Sequence, residues 1–449
     1  MNDIKKIIIV LIIIIILIIG ILVILKKSNK ASDINRTEYV PDVIITDSLE
    51  KVTVRNDYFT IKNIVEQYYS RLCDLNKTTN DILVYEYDEE VGDLDKELEA
   101  EKARNKRSLI SFFDEGYIIE TSLSTDNIQE KLGNYNDLYV LIENMYIKDI
   151  TVNLKAYFIF GTLTEKTTLK TEDFKLMVVT DSYNGTFNIY TSEYIDKYKL
   201  YELSKDELKN QLFNTAEIKN RIYNKYSYKV VQDEEYAKEL LKSYTETIRY
   251  NIKYSYNNLA EEYKTSKFEN IAEYEKYIEE NKISIIATTL KYYQYNIFDG
   301  YIQYVCIDQN GRYYIFNQTS IMNYSLYLDN YTIDLPEFTS KYETATTYEK
   351  VALNIQKIVE ALNAKDYKYV YSKLADEFKS NYFKTYEDFE EYAKTTFDVE
   401  NEVTFMNYTE SDELSTYQIT LKGKSKTITK TIVMRLDEGT NFVMSFNVN

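Results

Sequence analysis

The chain contains no histidine and no tryptophan, and only two prolines, two cysteines and ten glycines in 449 residues. Without histidine there is no Ser-His-Asp or Cys-His catalysis, no His-ligated zinc and no HExxH helix. Cys73 and Cys306 lie far apart in sequence, in different candidate domains, so they imply neither a disulfide framework nor a four-cysteine zinc site. No two glycines form a GxG pair, which removes the Rossmann and P-loop phosphate cradles. Most familiar enzyme classes are excluded by these absences, and no catalytic residue, cofactor or metal site is expected. Positive charge is also in deficit, with 54 Lys and Arg against 72 Asp and Glu, a net charge of −18. Such a surface repels phosphate backbones, so nucleic acid is not an expected partner.

Tyrosine is the abundant extreme, at 47 residues. Tyrosine-rich surfaces can bind peptides or glycans, but here the residue is spread through every segment, as in a general bias toward Ile, Lys, Asn and Tyr.

The longest apolar run is Ile7–Leu25, made only of Ile, Leu, Val and Gly20. As a helix it reaches roughly 28 Å, close to the hydrocarbon thickness of a bilayer. Lys5, Lys6, Lys26 and Lys27 flank it, and no small-x-small cleavage site follows. The expectation is a retained single-pass membrane anchor, with a short cytoplasmic tail at 1–6, a stalk at 26–49 and the remaining domains extracytoplasmic.

Beyond the stalk, helical and strand patterns alternate. A first domain is expected at 50–198. It opens on an apolar helix face (Ile61, Ile64, Val65, Tyr68, Leu72) and continues through a charged segment, Asp88–Arg107. That segment lacks the residue order of a calcium loop and reads as a solvated loop or charged helix. Strands follow at Leu138–Ile142, Asp149–Phe160, Phe174–Thr180 and Thr186–Tyr190, with Asn184-Gly185 as a hairpin turn. A helical connector occupies 199–232 and opens on the capping box Ser204-Lys-Asp-Glu207. The second domain, 233–335, begins with Ala237, Leu240, Leu241, Tyr244 and Ile248 on one helix face; its β-rich runs are Ile283–Ile297, Tyr301–Ile307, Arg312–Asn317 and Asn323–Ile333. A polar linker is read at 336–347, and the third domain, 348–449, repeats the order of helices followed by strands.

The strongest internal signal is a repeat. Leu259-Ala-Glu-Glu-Tyr263-Lys-Thr-Ser-Lys-Phe268 aligns with Leu374-Ala-Asp-Glu-Phe378-Lys-Ser-Asn-Tyr-Phe383, and the same offset pairs Tyr274 with Phe389. Amphipathic helices share apolar spacing by chance, but they do not usually share this whole pattern. These eight apolar residues are the expected repeat-defining core. The first domain echoes the pattern more faintly, in Ile61-Lys-Asn-Ile-Val-Glu66 beside Ile355-Gln-Lys-Ile-Val-Glu360.

Helices followed by antiparallel strands in about 110 residues form an α+β unit. This order resembles the nuclear transport factor two-like superfamily, whose cone-shaped sheet wraps a long first helix. The resemblance implies two or three tandem cones behind the anchor. It also brings in ketosteroid-isomerase-like enzymes, which use an Asp base and a Tyr donor, but no spacing here assigns such a pair. Three readings of function stand: a non-catalytic envelope scaffold contacting other envelope proteins, a component of a conjugative or secretion channel, and a small-molecule-binding or isomerase-like cone.

Overall fold

A computed structural model of the protein describes residues 49–78, 94–213 and 224–448. Three sets of helices, each leading into an antiparallel meander, succeed one another along it. The first unit comprises β1 (Glu50–Lys51), α1 (Arg55–Asp74), α2 (Leu94–Ile110), α3 (Glu115–Thr121), α4 (Ile128–Leu132), β2 (Leu138–Asp149), β3 (Leu154–Glu165), β4 (Thr171–Asp181) and β5 (Thr186–Thr191). It ends with α5 (Ser192–Tyr198), α6 (Lys205–Phe213) and β6 (Asn224–Lys225), and its strands follow sequence order across one sheet. The second unit runs α7 (Asp233–Tyr250), α8 (Ile252–Asn257), α9 (Glu261–Lys267), α10 (Ile271–Ile286), β7 (Leu290–Phe298), β8 (Tyr301–Asp308), β9 (Tyr313–Ser320) and β10 (Asn323–Tyr327). The third follows with α11 (Pro336–Thr344), α12 (Thr347–Asn363), α13 (Tyr367–Ser372), α14 (Asp376–Tyr382), α15 (Tyr386–Thr396), β11 (Glu402–Ser411), β12 (Leu414–Lys422), β13 (Thr427–Leu436) and β14 (Phe442–Phe446).

The helices form where apolar residues recur at three- and four-residue spacing. In α1, Ile61, Ile64, Val65, Tyr68 and Leu72 share one buried face, while Asp57 in the first turn and Arg71 in the last complement the helix dipole. In α12, the Thr346–Glu349 capping box satisfies the first turn, and Val351, Ile355, Ile358 and Leu362 are buried. Gly161 on β3 faces the bulge of β2 between Ile142 and Asn144. A Cβ there would lie 1.9 Å from the Leu141 carbonyl oxygen, so only glycine fits.

The second and third units repeat one another in detail. In each, the chain just before a short helix, α9 or α14, forms a single parallel bridge to the last strand of the sheet, Leu259 with Leu326 in β10 and Leu374 with Met444 in β14. The Ala260 N–H donates to Leu326 O at 3.0 Å, and the Ala375 N–H to Met444 O at 2.9 Å. The N-caps correspond as well: Asn251 and Asp366 each accept from the backbone three residues on, as do Asn270 and Thr385 at the start of α10 and α15.

The expected architecture needs correction in its membrane element. Among the described residues no helix is long and apolar enough to cross a membrane. The longest, α1, is amphipathic and carries Arg55, Asp57, Lys62, Glu66 and Arg71. The fold is α+β with three antiparallel sheets, and the single-pass transmembrane assignment is withdrawn. The stretch from Ile7 to Leu25 lies outside the described residues.

Local expectations also shift. The strand expected across Asp149–Phe160 is a hairpin: the chain reverses through 150–153, where the Ile150 and Thr151 N–H groups both donate to Leu154 O. The β-run expected from Ile283 is helical to Ile286, since a short apolar run satisfies either period. The strand expected to reach Ile333 stops at Tyr327. The polar linker holds helix α11, with Pro336 at its first position. The connector returns to the first unit, pairing β6 with β5 and then running along α1, where the Lys229 N–H donates to Thr60 Oγ1 and the Val231 N–H to Asn56 Oδ1, each at 2.9 Å.

Candidate interaction surfaces and junctions

The eight repeat-defining residues are all buried: Leu259, Tyr263, Phe268 and Tyr274 in the second unit, and Leu374, Phe378, Phe383 and Phe389 in the third. They line interiors rather than a surface site. In the third unit the rings of Phe383, Phe389, Tyr371, Tyr392 and Phe446 pack with centroids 5.0–6.3 Å apart. The cavity left beside them, lined by Ile358, Val359, Leu362, Val370 and Met444, is about 20 Å³, room for little more than one water. The buried cation at its margin, Lys430, donates to Tyr392 Oη at 2.8 Å and to Asn447 O at 2.9 Å. The second interior is more polar. Tyr274 Oη lies 2.6 Å from Ser255 Oγ and 3.3 Å from Tyr244 Oη, whereas Phe389 and Ile358 occupy the corresponding places in the third unit.

A larger recess lies between the first and second units, a groove of about 1580 Å³ lined by Glu66, Cys73, Arg104, Lys166, Glu246 and Arg249 among others. Its charges are mixed in sign, and Lys77–Asp74 (2.7 Å) and Lys166–Asp137 (2.8 Å) pair neighbours with each other. Burial pushes the Cys73 thiol up to about 11, far from a neutral-pH thiolate, and burial also raises the Glu246 carboxyl. Among the described residues no group of three or more His, Cys, Asp or Glu is placed to hold a metal ion.

Two junctions tie the units together. Along the first, α1 and α7 run side by side in the same direction. Arg55 meets Asp233 at 2.7 Å, the Phe59 and Tyr236 rings cross at 5.9 Å, and Lys62 reaches Glu239 at 3.7 Å. Arg55 also donates to Tyr304 Oη at 2.8 Å and lies 4.3 Å from the Tyr236 ring centroid. At the second junction, Lys267 at the end of α9 points its ammonium between two carboxylates, Asp329 at 2.9 Å and Asp366 at 3.2 Å. Asp366 belongs to the third unit, where it caps α13. Tyr331 Oη bridges the group, 3.2 Å from Lys267 Nζ and 3.1 Å from Asp366 Oδ2. Burial works to lower the Lys267 pKa, but Tyr263, Tyr331, Asp329 and Asp366 outweigh it and hold the ammonium well above its ordinary range.

Exposed apolar side chains also line β7, the edge of the second sheet. Tyr292, Tyr295 and Ile297 are exposed there, Ile297 by 76 %. Lys291 is the only charged residue in the strand, and the register from Tyr292 to Phe298 is regular, its one irregularity falling before Tyr292. The equivalent edge in the third unit, β11, carries Glu402 and Glu410 and is broken mid-strand by a bulge between Phe405 and Tyr408. Charges and bulges are what normally blunt a free edge. β11 has both along its length, whereas β7 has its one charge and its one irregularity at its first residues and neither from Tyr292 to Phe298.

The junction residues and the β7 edge were not among the sequence candidates. A trace of one was present in the repeat: Lys267 stands where the third unit has Tyr382, a departure inside an otherwise matching block. Asp366 and Asp329 carry no such mark, because the contact joins units distant in sequence. Neither protein-family models, nor curated proteins, nor solved structures yield a match to the chain.

Proposed function

We propose that this protein is a non-catalytic scaffold built from tandem units of the nuclear transport factor two-like type, and that it works by binding other proteins on its surface. The reading is carried by the contrast between its interior and its edge. The third unit's interior is filled by aromatic rings down to about 20 Å³, too little for a small-molecule substrate. Strand β7, by contrast, offers an edge that is uncharged and regular from Tyr292 to Phe298, with Tyr292, Tyr295 and Ile297 exposed. Such an edge can take an added strand through main-chain hydrogen bonds, with alternate side chains giving specificity. The isomerase-like alternative has no cavity with an isolated carboxylate to support it in the third unit.

The test is a photocrosslinking amino acid placed at Ile297 in the native cells, with Val152, an exposed turn residue of the first unit, as the control position. The scaffold reading expects discrete protein adducts at 297 that are absent at 152. No adduct at 297, or the same adducts at both positions, would sink it.

A further inference from the structure

We propose that Lys267 and Asp329 become joined by an intramolecular amide bond in the folded chain, with Asp366 as the proton carrier. The three groups stand in the relation such a reaction needs. Lys267 Nζ, the nucleophile, is 2.9 Å from Asp329 Oδ2 and 3.2 Å from Asp366 Oδ2. The Asp329 and Asp366 side chains are more than nine-tenths buried. The rings of Tyr263 and Tyr331 wall the amine, at 5.1 and 5.4 Å to their centroids.

The two carboxylates are held differently, and the difference assigns their roles. Asp329 Oδ1 accepts from the Thr332 N–H at 3.1 Å and also from the Thr332 hydroxyl. Two donors thus aim at the oxygen that gains charge when Cγ is attacked, as in an oxyanion hole. Its other oxygen faces the amine and is the one to leave. Asp366 Oδ1 is held by the Tyr369 N–H at 3.1 Å, as an N-cap. That leaves Oδ2 beside the amine and the Tyr331 hydroxyl, free to take a proton and return it.

The step balances without any outside reagent. The ammonium passes a proton to Asp366, and the freed amine attacks Asp329 Cγ, forming the N–C bond. Asp366 relays two protons in turn to Asp329 Oδ2, the Cγ–Oδ2 bond breaks, and one water leaves. Asp366 ends ionised, as it began. The neighbours favour the ammonium, so the reactive amine is rare and the step slow, but each chain requires it only once. Holding amine and carboxyl at contact supplies a large effective concentration. Because Asp366 comes from the third unit, the reaction waits until the third unit has docked on the second.

The experiment is the intact mass of the full-length protein, read in denaturant after folding. The proposal expects a mass below that of the sequence by one water, about 18 Da, and a branched peptide containing Lys267 and Asp329 on fragmentation. Lys267→Arg, which keeps the charge, restores the full mass, as does Asp329→Ala. Asp366→Asn also restores it, although asparagine keeps the N-cap, as Asn251 does in the second unit; a structural ion pair alone predicts no such effect. A wild-type chain at the full sequence mass overturns the proposal, as does a deficit that survives in Lys267→Arg. A deficit that survives in Asp366→Asn overturns the role given to Asp366.

Discussion

Replacing Phe389 by alanine tests whether the third unit's interior is packed for stability or reserved for a ligand. Phe389 on α15 has no exposed surface, and its ring meets Phe383 and Tyr371 at 5.3 and 5.7 Å. Removing the ring forfeits the transfer free energy of a fully buried side chain, roughly 1.5–3 kcal/mol. The walls, fixed by β12 to β14 and by α12, relax only partly, and the remaining cavity brings the total for such a change to ~3–5 kcal/mol. Urea denaturation of the full chain, read through amide exchange in β12 and β13, measures the loss directly. Benzene or xenon should then restore part of the lost stability in Phe389→Ala and none in the wild type. A loss below about 1 kcal/mol, or an apolar ligand that stabilises the wild type equally, would refute the packed-interior argument.

Three further outcomes follow from single contacts. Gly161→Ala brings a methyl group against the Leu141 carbonyl at the β2 bulge and should cost ~1–3 kcal/mol by thermal denaturation, whereas Gly185→Ala, with nothing within 4 Å and a φ of +64°, should cost only its backbone strain, ~1 kcal/mol. Tyr274→Phe removes the hydroxyl linking Ser255 to Tyr244. It should lower stability by ~1 kcal/mol while leaving the second unit folded, as Phe389 does in its own unit. Asp398 accepts from the Ser425 N–H and hydroxyl and from the N–H groups of Val399 and Lys426, which hold its carboxyl well below the usual range. A depressed carboxylate contributes stability above its unfolded pKa of about 3.9, and that contribution is lost as pH falls through the folded value. Melting curves of wild type and Asp398→Asn should therefore differ at pH 7 and converge in acid; a constant gap would contradict the assignment.

Helical faces were the most legible part of this chain, because a 3.6-residue period survives whatever the helix later packs against. Ile61 to Leu72 and Val351 to Leu362 are buried as their spacing implies. The turn at Asn184-Gly185 was legible for a local reason too, since Gly185 supplies the positive φ a tight reversal needs. The reversal after Asp149 has no glycine or proline. It is built on the Thr151 hydroxyl, which accepts from the Leu154 N–H at 3.1 Å, so the alternation ran through it unbroken. Ile283–Ile286 could satisfy either period, and helix won because α10 was already propagating. The junction at Lys267 was illegible for a different reason. Its partners are 62 and, for Asp366, still more residues away, and no local pattern encodes a contact between units. The contrast between β7 and β11 was illegible as well, because which strand stands at an edge is set by sheet order and not by local pattern.

The most direct test of the scaffold account is to give β7 the protection that β11 already has. A chain carrying Tyr292→Lys and Ile297→Lys places two charges on the free edge at exposed positions and leaves in place Tyr295, whose ring packs 5.8 Å from that of Tyr304 on β8. Binding of the protein captured at position 297 should fall by at least tenfold, about 1.4 kcal/mol, with the melting temperature unchanged. Undiminished binding in a folded double variant would show that the edge is not the contact surface and would contradict the account.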